Sequence, residues 1–243
     1  MAGQMITPPA LRQYLMSAPV LDILNPLLPA GMTGARLVGQ ALILANQNSD
    51  LYKCSLDSIY SGIMRAATMG LELSGPLGQA NLIPRWNRQL NGHEAVFQMG
   101  YKGYIVLAHR SRMVRHFFPR TVREKDQFRM RDGTDPAIDH VRSLEADPGP
   151  AVGYYAVIGY ANGGSDFEYM SLAQVVAHRN RYAPKNKTWD THFEEMAEKT
   201  VMIQLGKRCP LSIEFQSAAA EEAGGPGAWA APAQAAGEEW HYP

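Results

Sequence analysis

The chain is poor in the residues that build disulfide or metal scaffolds. Of its 243 residues only Cys54 and Cys209 are cysteines, and neither belongs to a CxxC pair. Two such thiols point to a reduced, cytoplasmic protein, and each reads as a small buried hydrophobe. No apolar run approaches the roughly 18 residues of a membrane span. The first residues lack the basic-then-apolar order of a secretion signal. The seven histidines (93, 109, 116, 140, 178, 192 and 241) show no HExxH and no paired ligand spacing. No GxxxxGK[ST] loop exists for a nucleotide phosphate, and Gly153, Gly159, Gly163 and Gly164 form no dinucleotide fingerprint. Glu194, Glu195 and Glu198 cluster beside Lys199, as a solvated helix face would. The expectation is a protein without cofactor, metal or catalytic residues, and so not an enzyme.

Acid is scarce where base is rich. The chain balances 23 Lys/Arg against 23 Asp/Glu, yet residues 81–130 hold ten Lys/Arg and three acids, which leaves +7 in a fifth of the length. A basic block of this density is an electrostatic footprint of nucleic-acid binding. At its centre stands FQMGYKGYIVLAHRSRMV, residues 97–114. Its cations suit phosphates, its tyrosines offer faces for bases, and its glycines allow close backbone approach. The opposite holds at the end of the chain. Residues 217–243 carry four acids and no Lys or Arg, so a disordered acidic tail is expected.

Taken in order, residues 1–34 are proline-rich and read as an extended N-terminal arm, with a short helix near Leu11–Leu15 and possible contact with a neighbouring protomer. Leu37, Ala41, Leu44 and Ala45 share a helical face over 33–48. Ser55 offers a cap to a second helix, with Ile59, Ile63, Ala66, Ala67 and Leu71 as its stripe and Gly75-Pro76 as its stop. Residues 80–84 and 93–98 read as strands around a turn at 85–92. A helix follows from Gly100 to His109, and Val114–Pro119 with Thr121–Val122 is β-like. Gly133, Pro136, Pro148, Gly149 and Pro150 predict a long loop over 129–150. Residues 151–160 and 167–171 flank Asn162-Gly163-Gly164, a hairpin signal. Ser171 caps a helix to about Asn180, a cationic loop spans 179–187, and the last helix runs from about Thr191 to Lys207 before Pro210. The fold class is α+β: an antiparallel sheet of about five strands braced by helices, with a core of residues 35–216.

The central run resembles the motif of the RecT family of phage single-strand annealing proteins. Four other pieces agree in order: CSLDSIYSGIMRAATMGLEL, VREKDQF, GYYAVIGY and WDTHFEEMAEKTVMIQLGKRCPLS. The resemblance covers about residues 40–215. It implies ATP-independent binding of single-stranded DNA and annealing to duplex, by an oligomer in the form of a ring or helical filament. It also implies a bacterial host cell, a partner exonuclease and contact with the host single-strand binding protein, which the basic stretch Lys199–Arg208 suits. The residues expected at DNA are Gln98, Tyr101, Lys102, Arg110, Arg112, Arg120, Lys125, Tyr154, Arg179, Arg181, Lys187, Trp189, Lys199, Lys207 and Arg208. Trp189 reads equally as a core anchor for the last helix. Arg112 departs from the family pattern, which more often has glycine after Arg-Ser, and His140-Val141 stands where a proline tends to follow the histidine. A single-strand protecting protein without annealing activity is the alternative reading.

Overall fold

The computed structural model describes residues 5–73, 78–184, 187–209 and 211. The chain divides into two compact units, one of residues 1–118 with 158–165, the other of residues 119–157 with 166–243.

The first unit opens with α1 (Pro8–Leu15) and α2 (Ala18–Leu24). Each carries proline in its first turn, where the missing N–H costs no helical bond. Leu11, Leu15, Val20 and Leu24 are buried, so from residue 5 onward the expected arm is a pair of packed helices. Proline kept them short without preventing them. The next helix, α3 (Gly34–Gln47), starts at Thr33, whose hydroxyl accepts from the Arg36 N–H, and it buries the expected face. Ser55 caps α4 (Leu56–Met69), and Ile59, Ile63, Ala66 and Ala67 face inward. This helix stops before the expected Gly75-Pro76, which lies outside the described residues. The stop is Gly70, left-handed at φ 58°, whose N–H turns back to the Ala66 and Ala67 carbonyls.

Strands β1 (Ala80–Asn87) and β2 (Gly92–Met99) pair antiparallel from Ala80↔Met99 to Asn87↔Gly92. The turn is therefore 88–91, shorter than the expected 85–92. Asn87 is the reason: its carboxamide oxygen accepts from the N–H groups of Gln89 (2.8 Å) and Leu90 (3.1 Å). One face of the hairpin lies on α4, where a Cβ on Gly62 would sit 2.5 Å from Leu82 Cδ2. Then comes α5 (Tyr101–Arg110), which buries Gly103, Tyr104, Leu107 and Ala108.

Four regular segments follow: β3 (Val114–Arg123), β4 (Gln127–Arg131), β5 (Ala137–Val141) and β6 (Ala151–Tyr160), and β7 (Ser165–Ser171) completes the strands. The α+β class with antiparallel pairing is as expected. The division differs: sheets of two, three and two strands stand in place of one of about five, with orders β1-β2, β3-β6-β7 and β4-β5. In β6, two glycines accept rings from the strands beside it. A Cβ on Gly159 would lie 2.3 Å from the His116 ring, and one on Gly153 would lie 2.3 Å from Tyr169. Rings laid over strand glycines protect the backbone and hold register.

In the second unit, the long loop expected over 129–150 contains the β4–β5 hairpin, paired from Gln127↔Val141 to Arg131↔Ala137. Its inward residues are Phe128 and His140. Phe128 stacks on Tyr169 (5.3 Å) and meets Tyr155 (5.7 Å) and His140 (5.6 Å). Helix α6 (Leu172–Tyr182) opens on a capping box between Ser171 and Gln174, and runs past the expected Asn180. A short α7 (Lys187–Thr191) precedes α8 (Phe193–Gly206), so the last helix starts two residues later than expected. The tail from 212, including the part expected to be disordered, lies outside the described residues.

Candidate nucleic-acid interface

In the first unit the central motif unfolds into three different environments. Gln98 sits on β2 opposite Asn81, half-buried. Helix α5 then starts at Gly100 with no side-chain cap and no acid in its first turn. Tyr101 (37 % exposed) and Lys102 stand on that turn, open to solvent. The uncapped N–H groups and the positive helix end favour an anion there.

The motif's glycines serve a different purpose from the one the sequence suggested. A Cβ on Gly100 would lie 1.9 Å from the Gly78 carbonyl oxygen, and one on Gly103 would lie 2.3 Å from that of Gln79. They let α5 close on the entry to β1 and so approach protein backbone rather than a phosphate.

Arg110, though exposed, is bonded to the protein's own backbone. Its guanidinium donates to the Met69 and Gly70 carbonyls, each at 2.5 Å, and so caps the C-terminal end of α4. Two residues on, Arg112 is exposed and left-handed at φ 55°. A conformation that costs a non-glycine residue roughly 1 kcal/mol explains why glycine suits this position, and it aims Arg112 into solvent beside exposed Met113.

The second unit distributes its expected contacts unevenly. Arg120 is exposed, with Nη1 donating to the Pro119 carbonyl at 2.9 Å. Lys125 pairs with Glu145 at 2.6 Å, both largely exposed; such a pair is worth about 0.2–1 kcal/mol and yields readily to phosphate. Arg179 is not in a loop: it lies in the last turn of α6 and pairs with Asp190. Arg181 is exposed, its guanidinium 5.2 Å from the Tyr182 ring centroid. Arg208 pairs with Glu168 and donates to the Phe167 carbonyl. Exposed Lys207 donates to Gln204 at 3.3 Å. Lys187 opens α7, and its side chain lies outside the described residues.

Three of the expected contacts belong to the core. Tyr154 is 1 % exposed, Trp189 3 % and Lys199 6 %. Trp189 meets Phe193 edge-on at 5.5 Å, and Phe193 meets Tyr154 at 6.3 Å. Burial pushes the Tyr154 hydroxyl up to about 12. These rings anchor α7 and α8 and present no face to a base, so for Trp189 the geometry is that of the core anchor. Lys199 is engaged in contacts within the protein.

One buried polar cluster was not legible in the sequence. The His140 ring lies between the Asp126 carboxylate and the Tyr155 hydroxyl, 3.0 Å from each. Asp126 also accepts from the N–H groups of Ser143 and Arg123, both at 2.8 Å. Burial opposes its charge, but the two N–H bonds and His140 outweigh burial and hold the carboxyl below its usual value. A Tyr-His-Asp relay is an arrangement that can activate a hydroxyl. Here the His140 and Asp126 side chains are 4 % and 2 % exposed, so no substrate reaches them and the cluster serves to pin the β4–β5 hairpin. Among the described residues, no group of three or more His, Cys, Asp or Glu is placed to hold a metal. Nor is any helix among them long and apolar enough to cross a membrane.

The sequence reading also passed over Trp86, Arg88 and Arg142. Trp86 is 54 % exposed at the end of β1, beside Arg88 in the turn. Arg142 follows β5, and with Arg120 it bears electrostatically on the Tyr155 hydroxyl. The signal for the first two was present as a tryptophan between two arginines among amides.

Comparison with known proteins identifies the family. The RecT family model matches residues 35–233. Protein RecT of Escherichia coli strain K12 is 34% identical over 216 residues, covering 88% of this chain and 77% of that protein. The uncharacterized protein YqaK of Bacillus subtilis strain 168 is 31% identical over 193 residues, 79% of this chain and 65% of YqaK. A family match over most of the length, joined to that identity, decides the assignment: the chain belongs to the RecT family, and its role lies in DNA recombination through single-strand annealing.

Proposed function

We propose that this protein binds single-stranded DNA along its phosphate backbone and anneals complementary strands without ATP, acting as an oligomer. The observation that supports it most is the stretch 95–123, which holds six Lys/Arg and no acid. Within it Tyr101, Lys102, Arg112, Arg115 and Arg120 are all exposed. Contacts of this kind are independent of sequence and sensitive to salt, as an annealer of arbitrary strands requires. Lys125, Arg181, Lys207 and Arg208, all exposed, are secondary candidates, together with half-buried Gln98 on β2. The partners that follow are single-stranded DNA, the annealed duplex and further copies of this chain. An exonuclease that supplies the strand, and a host single-strand binding protein met near Lys207 and Arg208, complete the expected set.

The test is pairing of complementary oligonucleotides, one with a fluorophore and one with a quencher, in buffer without nucleotide. Accelerated pairing, with assemblies visible by electron microscopy, is the expected result. Binding without acceleration would favour a protecting protein, and cleavage with Mg²⁺ or Mn²⁺ would favour a nuclease. Lys102→Ala should lower the log-log salt slope by about 0.7, with an unchanged melting temperature.

A further inference from the structure

The β1–β2 hairpin presents one face to α4. Ala80, Leu82, Pro84 and Trp86 lie on it, opposite Met99, Phe97, Ala95 and His93. Ala80, Leu82, Ala95 and Met99 are at most 7 % exposed. The chain entering α4 runs along the edge of β2, where Cys54 bridges His93, the Ser55 N–H donates to the His93 carbonyl (3.2 Å) and the Ala95 N–H donates to Ser58 Oγ (2.9 Å). Trp86, paired with His93, carries the same face toward the hairpin tip and is 54 % exposed. It is nevertheless fixed. His93 meets the indole edge-on at 5.1 Å. The adjacent turn is tied by Asn87, which accepts from the Gln89 and Leu90 N–H groups and donates to Glu94 at 3.0 Å.

We propose that Trp86 is a stacking platform for an unpaired nucleobase, with Arg88 meeting the flanking phosphate. The inference rests on the single-strand reading above and adds to it a contact on the hairpin tip. A ring already held in place loses little freedom on binding, and any base has a face to offer it. The surroundings select a nucleotide over an apolar protein surface. Arg88 stands in the turn two residues after the tryptophan, and the nearby Asn87, Gln89 and Asn91 are uncharged amides. The hairpin's one acid, Glu94, is taken up by Asn87 and lies opposite Arg85 on the other face. Leu90 is the only other large apolar side chain exposed at the turn, too little for a protein interface core.

The experiment uses the full chain with short oligonucleotides carrying 2-aminopurine. Trp86→Ala should weaken binding about 5- to 150-fold, the range of one lost base stack, and abolish the quenching of 2-aminopurine. Trp86→Tyr should restore part of both. The salt slope should stay unchanged in Trp86→Ala, because no phosphate contact is lost, and fall by about 0.7 in Arg88→Ala. An unchanged melting temperature for Trp86→Ala separates the platform from a structural role. Undiminished binding and quenching in Trp86→Ala would overturn the platform alone. Intact oligonucleotide binding with reduced self-association would also overturn it, and assign Trp86 to a contact between copies. Wild-type protein that binds no oligonucleotide would overturn the single-strand reading together with this one.

Discussion

The two two-stranded hairpins, β1–β2 and β4–β5, are closed at their roots by opposite means. The entry to β1–β2 is sealed sterically: Gly100 and Gly103 press α5 onto the carbonyls of Gly78 and Gln79, leaving no room for one methyl. The root of β4–β5 is sealed by polarity: Asp126, His140, Tyr155 and two backbone N–H groups satisfy one another out of water. A steric seal tolerates no added atom. A polar seal tolerates a change of shape but no lost partner. The β1–β2 hairpin reads clearly in sequence, while the β4–β5 segment has the composition of a loop.

The largest expected effect follows from the steric seal. Gly100→Ala sets a Cβ 1.9 Å from a backbone oxygen that has no rotamer to escape into. We expect a loss of about 3 kcal/mol or more, read as a melting temperature about 10 °C lower or as failure to fold. A variant that melts like the wild type would show that α5 does not need this close approach.

Asp126→Asn breaks the polar seal and should cost roughly 1–3 kcal/mol at pH 7. Because the folded carboxyl is held below the ordinary 3.8, its stabilisation is present in full above the unfolded value. It is lost as pH falls through the folded value. Urea melts should therefore show a wide gap between wild type and Asp126→Asn at pH 7 that narrows as pH falls below 3.8. A gap that does not depend on pH would make the network a matter of shape rather than charge.

Arg112→Gly sharpens the comparison between stability and binding. Relief of the left-handed arginine should raise stability by about 1 kcal/mol while DNA binding weakens and the salt slope drops by about 0.7. Loss of stability instead would mean that the arginine side chain holds the turn.

The smallest effect concerns the thiols. Cys54 and Cys209 are each 2 % exposed, and burial, with smaller help from Asp50 and Glu94, pushes Cys54 up to about 11. Neither should react with a disulfide reagent at pH 8 until the protein unfolds, and rapid labelling of the native protein would contradict this burial.

Local chemistry is readable wherever a short-range rule carries it. The faces of α3 and α4 follow from apolar spacing, the caps at Ser55 and Ser171 from hydroxyls before apolar runs, and the Asn162-Gly163-Gly164 hairpin from residues that accept unusual backbone angles. The basic block is equally plain, since charge is counted from composition. The helices near the N-terminus pass for an extended arm because proline at the first turn of a helix resembles proline that prevents one. The β4–β5 hairpin is hidden because its alternation is carried by Phe128 and His140 among polar neighbours, and their partners Tyr155 and Tyr169 lie far along the chain.

Residue type and order alone determined the α+β class, the family and the concentration of positive charge. Tertiary structure decided what each of those residues touches. Arg110 and Arg112 are the same amino acid two positions apart, and nothing local separates them. One faces the open carbonyls that end α4, forty residues earlier in the chain, and the other faces solvent. Tyr101 and Tyr154 differ in the same way, one standing on an open helix turn and the other enclosed by Phe193. Which cation is free for a phosphate, and which ring for a base, depends on long-range packing, and that is set by groups distant in sequence.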